Sequence, residues 1–241
     1  MVDRTIRHAA PFLLAILTAL GGGLPFAAAA PAASPAATIT PGRVDRTSAS
    51  LSATYSVVLS LRYDSRAFNV NSTATITNTS GGPIDRVELN TIAARLGRFE
   101  LRAAEVEGRR VSARVSDQTV VVPLGGVLAA GDTVNVRVQY RSTLRSGTGG
   151  SDWLFTRANG IVDAYRWIPW VSRATAFTRP NHGDPFVTPV SPHVKVTVTT
   201  DRKLKIVSTA DHRSVSTDGL THVLEARHVR DVTLTAAPDF R

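Results

Sequence analysis

Alternation of apolar and polar residues at period two recurs in short runs from residue 51 onward, and it constrains this chain more than any other feature. Only an extended strand puts every second side chain on one face, so each run reads as a strand with one buried and one wetted side. Tyr55, Val57, Leu59, Leu61 and Tyr63 fall on one face, with Ser56, Ser60 and Arg62 on the other. Val70, Ala74 and Ile76 alternate with Asn69, Asn71, Thr73, Thr75 and Thr77, a polar ladder that suits an antiparallel strand facing water. Val134, Val136, Val138 and Tyr140 alternate with Asn135, Arg137 and Gln139. Shorter runs are expected at Phe99/Leu101/Ala103, Val111/Ala113/Val115, residues 120–122, Val194/Val196/Val198, Leu204/Ile206, residues 222–228 and residues 232–235. Glycine-containing turns such as Ser80-Gly81-Gly82-Pro83 and Ala130-Gly131-Asp132 separate them. A single helical turn is expected over residues 92–96. The fold class is therefore all-β: an antiparallel sandwich or saddle of several sheets over residues 51–241.

The first 50 residues follow a different pattern. Arg4, Arg7 and His8 precede an uncharged run through Phe12, Leu13, Leu14, Ile16 and Leu17, then Gly21-Gly22-Gly23-Leu24-Pro25 and the small residues 27–30. That order reads as a signal peptide over residues 1–30, cleaved after Ala29 or Ala30. An uncleaved anchor is the competing reading, but the strongly apolar core is shorter than the ~20 residues a spanning helix needs. Residues 31–50, rich in Pro, Ala, Ser and Thr, read as a flexible linker. The location expected is outside the cytoplasm, secreted or in the cell envelope.

Composition narrows the chemistry. Without cysteine, the chain has no disulfide, thiolate zinc site, iron-sulfur cluster, cysteine nucleophile or lipid-attachment residue. Export without disulfides, and 25 arginines against three lysines, fit a GC-rich bacterial gene. The net charge of +9 is thinly spread, with Arg202-Lys203-Leu204-Lys205 the densest cluster. No basic stripe with interleaved aromatics exists for nucleic acid, so the charge supports only weak attraction to anionic wall polymers or headgroups.

Catalytic patterns fail one by one. No G-x-S-x-G is present, and Gly149-Gly150-Ser151-Asp152-Trp153 lacks the second glycine of a nucleophile elbow. The same stretch lacks the G-K-[ST] of a phosphate-cradling loop. His222, Glu225 and His228 cannot share one ion on a strand, because Glu225 points away from the histidines, which would lie ~20 Å apart. His182 and Asp184, with His193, form a polar loop without a recognised ligand spacing. No cofactor is expected. Two stretches break the alternation: the glycine-rich loop 145–151, and a proline-rich irregular segment from Trp167-Ile168-Pro169-Trp170 to Thr188-Pro189. Trp153, Tyr165, Trp167 and Trp170 fall within 18 positions, and such aromatics either anchor interfaces or fill cores. With Arg166, Arg173, His182 and Asp184 they form the candidate interface.

Taken in order, several segments resemble a known family: Tyr55-x-Val57-x-Leu59-x-Leu61-x-Tyr63-Asp64, Thr77-Asn-Thr-Ser-Gly-Gly82, Asp85-Arg-Val-Glu-Leu-Asn90, Leu128-Ala-Ala-Gly-Asp-Thr-Val-Asn-Val-Arg-Val-Gln-Tyr140, Trp167-Ile-Pro169 and Val229-Arg-Asp-Val-Thr-Leu-Thr-Ala-Ala-Pro-Asp-Phe240. Together they look like the N-terminal β domain of the zinc aminopeptidases typified by aminopeptidase N, a gluzincin family, over residues 55–240. In that family the β domain precedes a thermolysin-like domain carrying H-E-x-x-H and G-x-M-E-N. Neither occurs here: no histidine is followed by glutamate, and Met1 is the sole methionine. The family's zinc ligands and general base therefore have no positions to be carried onto. The resemblance implies a non-catalytic scaffold or cleft-covering module whose zinc peptidase partner is separately encoded or lost. The competing expectation is an autonomous cell-surface module binding protein, glycan or wall polymer.

Overall fold

The alternating runs form strands whose apolar faces meet in one core in the computed structural model, which describes residues 39–174 and 188–240. Residues 1–30, read as a signal peptide, the first part of the stretch read as linker, and His182 and Asp184 lie outside the described residues. An eight-stranded sheet forms the larger layer. Its centre is β2 (Ser52–Arg62), β3 (Ala67–Thr77) and β9 (Thr133–Thr143), three eleven-residue strands in unbroken antiparallel register, with Val70 opposite Leu59 and Tyr140. β5 (Glu100–Val106) and β6 (Arg109–Arg110) extend one side. β13 (Ser191–Thr200), β16 (Thr221–Val229) and β15 (Asp211–Val215) extend the other. β13 pairs with β2 in parallel, and every other pairing between strands is antiparallel.

Two smaller sheets supply the second layer. One follows the order β1 (Ile39–Thr40), β8 (Thr119–Leu128), β4 (Ile84–Asn90), β12 (Trp170–Val171), with β7 (Arg114–Ser116) also on β8. The other follows β10 (Phe155–Ala158), β11 (Ile161–Ala164), β17 (Leu234–Ala237), β14 (Lys205–Ser208). Aromatic contacts mark where the layers meet. Tyr55 of β2 stacks on Trp170 of β12 at 4.3 Å, and Phe68 of β3 meets Phe155 of β10 edge-to-face at 5.1 Å. The helical turn expected over 92–96 is α1 (Ile92–Leu96), following β4.

Alternation predicts the buried face of β2, β3 and β9 position by position. On β5 it holds only in part: Ala103 is buried as expected, but Leu101 is half-buried, and Ala104 and Val106 are buried in the opposite phase. A bulge between Leu101 and Ala103 shifts the register against β9, and one extra residue turns the following side chains to the opposite face. Val111 and Ala113 lie outside any strand, and only Arg114–Ser116 pairs with β8.

The end of the stretch read as linker is fastened to the domain from Ile39 on. β1 lies along β8 beside Gly126, where a Cβ would collide with the Thr40 carbonyl. Farther along, the Asp85 carboxylate accepts hydrogen bonds from the backbone N–H groups of Val44 (2.9 Å), Asp45 (2.6 Å) and Arg46 (3.2 Å), and from Arg86 at 3.1 Å. Burial of this carboxyl opposes its ionisation, but the four donors outweigh that cost and hold its pKa below the ordinary aspartate value.

Candidate functional site

The glycine-rich loop 145–151 has a fixed base. Arg145 donates through Nε to the Asp152 carboxylate at 3.0 Å, and the Thr156 hydroxyl donates to the carbonyls of Arg145 (3.1 Å) and Gly147 (2.7 Å). The loop delivers the chain into a short 3-10 turn, Asp152–Leu154, with Trp153 at its middle. Trp153 is 55% exposed. The Tyr165 N–H donates to the Leu154 carbonyl at 2.9 Å, which sets Tyr165 beside that turn.

Strand periodicity then aligns further side chains with these two. Val162, Ala164, Leu234 and Ala236 point into the core, so Ile161, Asp163, Thr233, Thr235 and Val207 occupy the outward phase of the four-stranded sheet. Thr235 donates to Asp163 at 2.7 Å, and Val207, 58% exposed, lies opposite Thr235 in the ladder. A groove of about 300 Å³ runs between Trp153, Tyr165, Asp163 and residues 233–235. This outward sheet face, with Trp153 at one end and Val207 toward the other, is the candidate contact surface. Val207, Ile161, Thr233 and Thr235 were not singled out from the sequence. The signal available for Val207 was its phase, one residue out of step with the core residue Ile206.

Most of the other sequence candidates have a structural role. Trp167 is fully buried and Trp170 is 2% exposed, so both fill the core and neither can present a contact surface. Each indole N–H finds a backbone carbonyl, Trp167 that of Val232 at 2.9 Å and Trp170 that of Pro189 at 3.0 Å. The Trp167 carbonyl accepts from Thr91 Oγ1 (2.8 Å) and from the Tyr140 hydroxyl (2.7 Å). Tyr55 accepts from the Val171 N–H at 2.9 Å. Burial raises the pKa of both tyrosines far above the usual phenol value, keeping them neutral hydrogen-bonding groups. Arg166 is also buried, held at a φ of +48°. Its guanidinium donates to Thr188 Oγ1 and, at 2.8 Å, to the Arg230 carbonyl, while its N–H donates to Asp231 at 3.1 Å. Arg166 thus ties the start of the proline-rich segment to its end at Thr188 and to the link before β17. Arg173 is exposed.

His193, His222 and His228 do not converge. His222 is buried and Glu225 lies on the other face, while His228 sits at a φ of +54° that breaks the strand phase and leaves it exposed. His193 Nε2 pairs with Glu225 at 2.6 Å, and Arg213 reaches the second oxygen of the same carboxylate at 3.1 Å. That partnership holds the Glu225 pKa below the usual glutamate value. Among the described residues no three His, Asp or Glu side chains are grouped to hold a metal ion.

No family model matches the chain, and no curated protein does. Solved structures do match. The M1 zinc metallopeptidase of Deinococcus radiodurans superposes with a TM-score of 0.52 at 18% identity, over 78% of this chain and 42% of that enzyme. A mutant of the same enzyme gives a TM-score of 0.54 at 17% identity, and that mutant bound to a Tyr-Ser-Ala substrate gives 0.52 at 19%, with the same coverage. At these identities the likeness is one of fold. This chain has the fold of part of an M1 zinc metallopeptidase and spans 42% of that enzyme's length.

Proposed function

We propose that this chain is an exported, non-catalytic β domain that packs against a zinc peptidase domain encoded separately, and covers one side of its substrate cleft. The observation that carries the reading is the partial match: 78% of this chain against 42% of the peptidase. The outward face of the four-stranded sheet is the docking surface under this reading, since Trp153 and Val207 are large apolar side chains left more than half exposed. The test is co-expression with a zinc peptidase catalytic domain from the same genome that lacks a β domain of its own. A complex that co-elutes in size-exclusion chromatography and is weakened by Trp153→Ala supports the proposal. Zinc-dependent hydrolysis of aminoacyl substrates by the purified chain alone overturns it.

One feature favours a second reading, an autonomous binding module at the cell surface. Trp153 and Tyr165 flank a groove whose remaining lining includes Asp163, Thr233 and Thr235, a mix of flat apolar rings and polar groups that also suits glycan. Retention of the purified chain on wall polymer, abolished by Trp153→Ala, would favour that reading over peptidase docking.

A further inference from the structure

Three chain segments converge on the C-terminal end of β9. The turn between β2 and β3 arrives at Arg66, whose carbonyl accepts the Leu144 N–H at 3.0 Å. The link from α1 to β5 arrives at Arg98, and the preceding Gly97 packs so tightly on the Ser142 hydroxyl that any Cβ there would overlap it. Arg145 itself is fixed by backbone hydrogen bonds from its N–H to the Phe155 carbonyl (3.0 Å) and from the Arg157 N–H to its own carbonyl (2.8 Å). The result is a cleft of about 360 Å³ lined by Arg66, Arg98, Arg145, Thr143, Ser146 and Asp152.

The polar side chains of this cleft are nearly all donors. Asp152 is its one carboxylate, and it is engaged by Arg145 at 3.0 Å. Among the described residues, neither Arg66 nor Arg98 has a carboxylate within ion-pairing distance, and the Thr143 and Ser146 hydroxyls have no hydrogen-bond partner. The cleft lined by residues 42–45, β4, β7 and β8 differs: Arg43, Arg86 and Arg114 line it, and Asp45 and Asp85 pair with the first two at 3.1–3.5 Å. Arg66 holds a φ of +59°, a conformation a non-glycine residue adopts at some cost, and this places its side chain at the cleft.

We infer that the Arg66–Arg98–Arg145 cleft binds a phosphate group. Guanidinium forks match phosphate oxygens bidentately, and three forks carried on separate segments suit a tetrahedral oxyanion better than a planar carboxylate. The inference is independent of the peptidase-docking proposal, because the cleft uses none of the outward residues of the four-stranded sheet. A soluble phosphomonoester presents three terminal oxygens and a lipid phosphodiester two, and either set can be met by guanidinium forks.

The test is calorimetric titration of the full chain with inorganic phosphate and with glycerol 1-phosphate, alongside flotation with phosphatidylglycerol and phosphatidylcholine vesicles. Arg66→Gln and Arg98→Gln should each weaken phosphate binding about tenfold, as expected for the loss of a charge-assisted hydrogen bond. Arg109→Gln, on the distant edge strand β6, should leave it unchanged. Phosphatidylglycerol-specific flotation lost in both variants identifies a headgroup. Binding of glycerol 1-phosphate without flotation identifies a soluble phosphomonoester. Failure to bind any of these probes, binding by Arg66→Gln and Arg98→Gln as tight as by the parent chain, or acetate binding as tight as phosphate binding overturns the assignment.

Discussion

Replacing Trp167 and Trp153 separately by alanine tests the division between core and contact surface. Trp167 has no exposed surface, meets Phe68 edge-to-face at 5.4 Å, and gives its indole N–H to the Val232 carbonyl. Its removal empties a large cavity and orphans that carbonyl. Large-to-small changes of this kind cost about 3–5 kcal/mol, and the carbonyl places Trp167→Ala in the upper half of the range, about 4 kcal/mol. For a domain of this size each kcal/mol lowers the melting temperature by about 2–4 °C, so a fall of roughly 8–16 °C is expected. Trp153, more than half exposed, should change stability by less than about 0.5 kcal/mol when truncated. The assay is urea unfolding followed by far-ultraviolet circular dichroism, which does not depend on the tryptophan that each variant removes. The urea slope should stay constant, so that a shifted midpoint reports stability alone. Comparable losses in both variants, or a Trp167→Ala protein as stable as the parent, would refute the assignment of these two rings.

Three further outcomes follow from particular contacts. The Trp167 carbonyl accepts from both Thr91 and Tyr140, so Tyr140→Phe and Thr91→Val should each cost about 1 kcal/mol, whereas the double variant, which orphans the carbonyl, should exceed their sum in urea midpoints. Asp85→Asn should destabilise the domain by about 1–2 kcal/mol and speed amide exchange at residues 44–46, which donate to its carboxylate. Because the folded-state pKa of Asp85 is depressed, its contribution is complete above the ordinary aspartate pKa of about 4 and is lost as pH falls through the folded value; in Asp85→Asn that acid-side decline should flatten. His222 titrates in a different window. Burial first, then the nearby His212, lower its pKa, so the unfolded chain binds the proton more readily. Stability should therefore be full above about pH 6.5 and fall below it, and thermal melts of His222→Leu should lose that slope.

The sheet architecture was legible where one side chain in two must be buried. β2, β3 and β9 run eleven residues each without a bulge, and a long unbroken register leaves alternation nothing to compete with. β5 was legible as a strand but not in its phase, because a bulge is set by fit against β9 rather than by local composition. The fastening of residues 39–46 was hidden for a similar reason. Its partners are β8 and the Asp85 carboxylate, some 40 to 90 positions away, and nothing in residues 39–46, which show no period-two alternation, announces them.

The tryptophans show where local reading stops and why. Trp153, Trp167 and Trp170 stand within 18 residues and share the same side-chain chemistry, yet the first is exposed and the other two are core. An indole can be buried at little cost only when its N–H finds an acceptor, since an orphaned donor in the interior carries the full desolvation penalty. Trp167 finds the Val232 carbonyl 65 residues on, and Trp170 finds the Pro189 carbonyl 19 residues on. Trp153 has no such acceptor among the described residues, and its 3-10 turn leaves the ring facing solvent. What separates a core ring from an exposed ring here is therefore a backbone carbonyl presented by another segment. The glycine-rich loop contributes by raising Trp153 clear of those segments, and Tyr165 then borders the exposed ring. If a partner supplies the missing acceptor, complex formation should shift the Trp153 indole proton resonance and slow its exchange with solvent, while the Trp167 and Trp170 resonances, already bonded within the chain, stay in place.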